Sequence, residues 1–348
     1  MVNIAVLGYG TVGSGVVEVF DKNKEMINKK VKEEINVKYI LDIREFKGDK
    51  FEEKIIHDFD KILNDKEVSI VAEVIGGATI AYEYTKKLLE SGKNVVTSNK
   101  ELVALKGEEL LKIAKENNVK YLYEASVGGG IPVIHPIKEC LKANNIDKIV
   151  GILNGTTNYI LTRMIEDRIS FKEALENAQK LGYAEANPDA DIKGIDACRK
   201  ICILSELAYG VSINPESILV EGIENITLDQ IEEASKDGYV IKLIGYSKKV
   251  SDEKIEIFVS PCAIKKDNPL ANVNDVFNAV LVNGDMVGEV IFYGKGAGKL
   301  PTASAVCSDI LECLNKNMNN EIIWEKKDIS IEKPNLSILK SVKLPIIQ

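Results

Sequence analysis

The chain has 348 residues, with 45 Lys or Arg against 53 Asp or Glu, a net charge of −8, 45% apolar residues and 6% aromatic residues. That length suits two globular units, and an acidic balance without a Lys/Arg block argues against binding nucleic acid through its phosphates. No apolar run approaches the ~18–20 residues of a membrane span, and the chain opens on a short apolar strand rather than a basic leader, so a cytoplasmic protein with a small-molecule partner is expected.

Residues 2 to 7 read as that strand. Gly8, Gly10 and Gly13 then spell G-x-G-x-x-G, and Val16, Val17 and Phe20 continue at helical spacing. Gly8 allows a tight turn, Gly10 lets backbone approach a pyrophosphate, and Gly13 lets helix pack on strand. The helix start, from about Thr11 and Val12, offers N–H groups to the anion, so a dinucleotide site is expected. A second strand ends "YILDIR". Asp42 there could hold a ribose hydroxyl and Arg44 a 2′-phosphate, which leaves NAD(H) and NADP(H) both open and tilts the reading towards NADP(H). Further strands are expected at 68–77, 93–100 and 119–126, separated by helical stretches at 79–91 and 107–118. Such alternation predicts a Rossmann-type, doubly wound parallel α/β sheet. Ligands collect at the carboxyl ends of its strands, which brings Thr97, Ser98, Asn99 and Lys100 to the edge that carries the glycine turn. Lys100 is therefore a site candidate. "EASVGGGIPVIHP", residues 124 to 136, reads either as a flexible connector or as a place where Glu124 and converging carbonyls hold a hard cation.

From about residue 147 the texture changes, with strands expected at 148–155, 254–264 and 286–294 and a helical block at 170–209. This predicts a second α/β (α+β) layer with a mostly antiparallel sheet. The expected division is a nucleotide unit at 1–130, rejoined by about 295–318, a substrate and dimerisation unit at 131–294, and a tail without clear period at 319–348. Gly294, Gly296 and Gly298 precede an apolar helix. They do not form a P-loop, since Lys299 is followed by Leu300, but they could return the chain to the cofactor edge.

Within the helical block, Glu185, Asp189, Asp191 and Asp196 run ahead of Arg199 and Lys200, and the segment then turns apolar. On a helix at 194–209, Asp196 and Lys200 share a face. A structural ion pair is the plain reading; the density of carboxylates also suits an amine-bearing ligand. If the dinucleotide carries hydride, a proton must move as well, and histidine is the commonest agent. Both His57 and His135 sit in settings that read as structural. A lysine is the remaining donor, and Lys100 near Lys200 would lower an amine's pKa towards neutrality. The six cysteines form no C-x-x-C pair and read as core filler. The sequons at Asn154 and Asn225 are set aside for an intracellular chain.

Taken in order, "GYGTVGSG", "TSNK", "YEASVGGGIP", "GILNGTTNYI", "LGYAEANPDADIKGIDACRK" and "GKGAGKLPTASAV" resemble the homoserine dehydrogenase family over about residues 1 to 315. The resemblance implies reversible, NAD(P)-dependent interconversion of L-aspartate 4-semialdehyde and L-homoserine, on the route to threonine, isoleucine and methionine. It implies that Lys200 gives the proton to the aldehyde oxygen and that Lys100 stands near nicotinamide and substrate. Glu185, Asp191 and Asp196 match carboxylates that orient homoserine, and Gly155, Thr156 and Tyr183 match neighbouring contacts. Gly8, Gly10, Thr11, Val12, Gly13, Arg44, Ser98, Lys100 and Gly298 are the expected cofactor contacts. Glu124, Val127, Gly129 and Ile131 match a sodium site built largely from main-chain oxygen. A homodimer through the second sheet is implied, without the regulatory amino-acid-binding module that many members carry. Two rival readings stand beside it: another semialdehyde dehydrogenase of this architecture that works through a cysteine thioester, and a non-catalytic dinucleotide redox sensor.

Overall fold

In the computed structural model, residues 1–315 and 323–347 are described. They fall into two compact units, Met1–Ile134 with Ala297–Glu325, and His135–Gly296 with Lys326–Gln348.

The first unit is wound from β1 (Val2–Leu7), α1 (Thr11–Lys22), α2 (Lys24–Val31), β2 (Ile35–Leu41), β3 (Ile55–Ile56), α3 (Asp60–Leu63), β4 (Val68–Glu73), α4 (Thr79–Glu90), β5 (Asn94–Thr97), α5 (Lys100–Glu116) and β6 (Tyr121–Leu122). The six strands lie in the order β3-β2-β1-β4-β5-β6, and every pair is parallel. This is the expected doubly wound sheet, and its order reverses between β1 and β4, where such sheets open a crevice at their carboxyl edge. Ile4, Val6, Ile70, Ala72 and Val96 supply the buried interior under Val16, Val17 and Phe20 of α1.

Element ends differ from the sequence expectation at β5. The strand stops at Thr97 and the helix begins at Lys100, because Asn99 caps it by accepting the Leu102 N–H. A Thr-Ser-Asn run reads as extended by composition, but its oxygens satisfy a helix start better.

The second unit comprises β7 (Ile146–Ile152), α6 (Gly155–Glu166), α7 (Phe171–Lys180), α8 (Asp189–Ile192), α9 (Ile195–Tyr209), β8 (Leu219–Val220), α10 (Leu228–Lys236), β9 (Tyr239–Ser251), β10 (Lys254–Lys265), β11 (Phe277–Gly284) and β12 (Gly288–Lys295). α11 (Lys299–Glu312) then belongs to the first unit, where it packs on α1 through Ala303, Val306 and Ile310. The helical block at 170–209 is three helices, parted by the turn at Asn187-Pro188 and by Gly194, whose φ of +81° a side chain would resist.

Residues 319–348 lack a period for a physical reason. They contribute only short strands, β13 (Ser330–Glu332), β14 (Ile338–Leu339) and β15 (Leu344–Ile347), to a sheet whose partners lie far back in the chain. Expected as a tail, the described part of this segment is built into the fold; residues 319–322 and 348 lie outside the described residues. Among the described residues the sheet has nine strands, ordered β12-β11-β7-β9-β10-β15-β14 with β8 and β13 also on β10. Its long pairings are antiparallel.

Candidate functional site

At the amino-terminal turn, Gly8 takes φ +98°, and a Cβ on Gly13 would overlap the Gly8 carbonyl. Only glycine serves at both places. Gly10 stands at the N-cap of α1 with no side-chain cap, and no acidic residue occupies the first turn, so the N–H groups around Thr11 and Val12 face outward with the positive end of the helix. Beyond β2, Asp42 is nearly buried. Its carboxylate accepts the Tyr9 N–H at 2.7 Å and the Arg44 N–H at 3.0 Å, and Arg44 Nε and Nη2 grip it at 2.9 Å each. That guanidinium holds the Asp42 carboxyl well below the usual range, with the two backbone N–H donors adding to it. Arg44 Nη2 lies 4.0 Å from where a Cβ on Gly10 would sit, and next to it a cavity of about 270 Å³ is lined by Glu45, Phe46, Lys47, Glu52, Ile55 and His57. A ring nitrogen of His57 lies 2.6 Å from the Asp42 carbonyl, consistent with a structural role.

Ser98 and Lys100 are half-buried at the carboxyl end of β5, with the Lys100 N–H donated to the Ser98 carbonyl. Gly298, at φ +127°, opens α11. The first residue of that helix, Lys299, pairs with Glu18 of α1 at 2.8 Å, and its carbonyl lies 2.9 Å from where a Cβ on Gly15 would sit. The triple glycine follows Glu124, whose buried carboxylate accepts the N–H groups of Val133 and Ile134 at 2.6 and 2.9 Å. Gly128 and Gly129 take φ of +75° and +54° in succession, and Val127 and Ile131 are buried on either side. Among the described residues no cluster of three His, Cys, Asp or Glu could hold a metal, so any cation here rests on main-chain oxygen.

In the second unit, a buried cluster gathers at the end of β7. Lys200 Nζ donates to Asp196 Oδ2 and to the Leu153 carbonyl, each at 2.8 Å. Asn154 Nδ2 donates to the same Asp196 oxygen at 2.8 Å and to Asp191 Oδ1 at 2.7 Å. Asn154 also caps α6 by accepting the Thr157 N–H. Burial, and next the charge of Asp196, lift the Asp191 pKa above its ordinary value. Thr156 donates its hydroxyl to the Tyr183 carbonyl at 2.7 Å, and the exposed Tyr183 ring meets Tyr159 edge-on. Gly155 lets α6 start against β11, because a Cβ there would come 2.8 Å from the Val276 carbonyl.

Thus Lys200, Asp196, Asp191, Thr156, Gly155 and Tyr183 surround one place. Glu185 does not join their hydrogen bonds among the described residues: it is exposed on the loop after α7, where its carbonyl accepts from Gln179. Two residues escaped the sequence reading. Asn154 reads in the sequence only as a sequon, although an Asn closing a strand ahead of Gly-Thr-Thr is a helix-cap signal. Asn278, 1% exposed beside Gly155, has neither amide atom in a hydrogen bond among the described residues, and nothing in its sequence setting marks it.

The family model "Homoserine dehydrogenase, NAD binding domain" matches residues 8–124, and the model "Homoserine dehydrogenase" matches residues 132–311. The chain belongs to the homoserine dehydrogenase family. It is 47% identical over 316 residues to the homoserine dehydrogenase of Helicobacter pylori, an alignment covering 90% of this chain and 74% of that protein. The crystal structure of a homoserine dehydrogenase from Thiobacillus denitrificans superposes with a TM-score of 0.89 at 37% identity, covering 95% of this chain and 79% of that one. A hyperthermophilic archaeal homoserine dehydrogenase in complex with NADPH matches with a TM-score of 0.77 at 31% identity, covering 92% and 99%. Homoserine dehydrogenase is an oxidoreductase. The glycine turn and β2 described above fall within its nicotinamide-nucleotide-binding unit, and among the described residues no helix is long and apolar enough to cross a membrane.

Proposed function

We propose that this chain interconverts L-aspartate 4-semialdehyde and L-homoserine with a nicotinamide nucleotide, and that the Lys200 cluster carries the proton step. The gathering of carboxylates, amide and ammonium in that cluster carries the proposal. Asp191 and Asp196 are tied to one amide nitrogen of Asn154, and Lys200 donates to Asp196. A buried carboxylate beside a half-buried one, held by an amide, suits the α-ammonium of homoserine or its semialdehyde.

Nicotinamide, when bound, supplies or accepts the hydride. In the reductive direction Lys200 donates a proton to the aldehyde oxygen as it gains charge, and Asp196 sustains the ammonium before transfer. Asp191 and Glu185 orient the substrate ammonium, and Gly155, Thr156 and Tyr183 shape the pocket. Lys100 opens α5 at the carboxyl end of β5 and is the second active-site lysine of this reading. Gly8, Gly10, Thr11, Val12, Gly13, Ser98 and Gly298 cradle the dinucleotide, and Arg44 can exchange Asp42 for a 2′-phosphate, which favours NADP(H) over NAD(H). Main-chain oxygens of Val127, Gly129 and Ile131, with Glu124, would hold Na⁺. The successive left-handed glycines support this by turning the chain sharply there.

A homodimer through the second sheet is supported by β12. That edge strand exposes Ile291 and Tyr293, and Met286 and Val287 precede it uncovered. Within this reading the enzyme works in the cytoplasm, in synthesis of threonine, isoleucine and methionine. The test is initial rates of NADPH and NADH oxidation with L-aspartate 4-semialdehyde. Turnover with NADPH ahead of NADH is expected; no turnover with either would reject the assignment. Sodium is tested on exhaustively desalted enzyme, which should regain rate when NaCl, but not choline chloride, is added.

A further inference from the structure

The carboxyl end of β4 buries a charge that neither hydride nor proton transfer uses. Glu73 is 0% exposed. Its Oε1 accepts the Ile75 N–H at 2.7 Å and its Oε2 accepts the Thr97 hydroxyl at 2.6 Å. Thr97 Oγ1 in turn accepts the Asn99 N–H at 2.9 Å. The Asn99 amide then reaches back, donating to the carbonyls of Ile75 and Gly77 at 3.1 and 2.7 Å, while its oxygen caps α5 through the Leu102 N–H. The bonds close a ring that ties the loop after β4 to the loop after β5. Between Glu73 and Ile75, the Val74 carbonyl lies 3.0 Å from where a Cβ on Gly8 would sit, so the ring also underlies the glycine turn.

We infer that Glu73 is a positioning residue for the nucleotide site: through Thr97 and Asn99 it fixes the helix start that carries Lys100 and the floor on which the glycine turn rests. The inference rests on the reading of this edge as the nicotinamide-nucleotide site. A carboxylate suits the task because it accepts at both oxygens, and the ring needs one acceptor for Ile75 and one for Thr97. A protonated carboxyl accepts less well at the oxygen that carries the hydrogen, which disturbs the bond from Ile75 or from Thr97.

Burial lifts the Glu73 carboxyl to about 7, the bonds from Thr97, Ile75 and Asn99 holding it from going higher. Its sheet neighbours are Leu7 of β1 and Thr97 of β5. From β6, the Tyr121 hydroxyl is buried without a hydrogen-bond partner among the described residues, and burial followed by the Glu73 charge holds it protonated well above 10. Among the ionisable residues of the helices beside the sheet, Tyr82 and Lys86 of α4 are engaged with Glu109, and Asp309 of α11 accepts the Glu124 N–H. Burial thus brings the Glu73 carboxyl to where it changes charge near neutrality.

The test compares Glu73→Gln, Thr97→Val and Thr97→Ser by calorimetric titration with NADPH from pH 6 to 8.5, alongside melting temperature and steady-state rates. Glu73→Gln keeps the shape but places an amide donor where the ring needs an acceptor. It and Thr97→Val should each weaken NADPH binding roughly tenfold at pH 8. Thr97→Ser, which restores the hydroxyl, should recover most of the affinity. In the wild type NADPH affinity should fall as pH drops below about 7, and in Glu73→Gln that fall should shrink to what titration of the 2′-phosphate alone produces, while the melting temperature at pH 8 is no lower. Wild-type affinity and pH dependence in both Glu73→Gln and Thr97→Val would overturn the inference, as would losses that simply track melting temperature across the three variants. NADPH binding is read without homoserine, so a chain that binds nucleotide but does not turn over homoserine would refute the substrate reading and leave this one standing on its own measurement.

Discussion

Lys200 and Asp196 are almost wholly buried, with side chains 9% and 2% exposed, and they meet at 2.8 Å. Burying such a pair is costly, and removing one partner strands the other: Lys200→Ala should lower stability by about 3–5 kcal/mol, read by urea unfolding of the second unit. Glu73 behaves differently. Its folded pKa of about 7 stands above the ordinary 4.5, so between those values the folded chain binds more protons than the unfolded one. Stability therefore falls as pH rises from about 4.5 through 7, by about 3 kcal/mol in all, and Glu73→Gln should abolish that slope in unfolding experiments from pH 5 to 8. The Asp196–Lys200 spacing was legible in the sequence because i, i+4 is a local relation. Asn154 was not, since its bonds to Asp191 and Asp196 span 37 and 42 residues. Glu73 was hidden for a similar reason: inside the strand expected at 68–77 nothing local marks it, and only the neighbouring strand supplies Thr97.

At the scale of elements, local pattern carried the first sheet and failed in parts of the second. β1, α1 and β4 are continuous apolar runs or helical stripes that the sequence announces. β9 and β11 are regular strands that it did not announce. In β9 the apolar pattern is broken by Lys242, which is nonetheless 1% exposed. Its ammonium is held by the Val273 carbonyl and the side-chain oxygens of Asn158 and Asn274 at 2.6 to 3.1 Å. Asn158 Nδ2 meanwhile lies 3.0 Å from each of the Val273, Asp275 and Phe277 carbonyls, pinning α6 to the chain entering β11. Asn158→Ala should therefore cost about 2–3 kcal/mol, more than a surface amide would, in chemical unfolding. In the first unit α5 packs through Gly107 onto Trp324, the chain's single tryptophan. A Cβ there overlaps the indole, so Gly107→Ala should shift tryptophan emission to the red and destabilise this unit by about 1–3 kcal/mol.

Across the whole molecule, the division of labour follows from topology. A parallel sheet with a reversal of strand order offers an anion-binding edge, and an antiparallel sheet layered with helices buries a lysine among carboxylates. The unclosed edge at β12 is the third feature of this scale. Light scattering should report a dimer, and Ile291→Asp with Tyr293→Lys should shift it towards monomer by placing charge on the exposed apolar positions. The short strands near the carboxyl end were beyond sequence reading, because two- to four-residue pairings carry no period.

In the proposed reaction Lys200 moves the proton while the first unit holds the nucleotide. The most direct measurement is the turnover of Lys200→Ala with NADPH and L-aspartate 4-semialdehyde, beside its NADPH dissociation constant from titration of the same preparation. A kcat lower by roughly 10²–10⁴, with nucleotide affinity unchanged, is the predicted result. Turnover near the wild-type rate in a variant that still binds NADPH would contradict it.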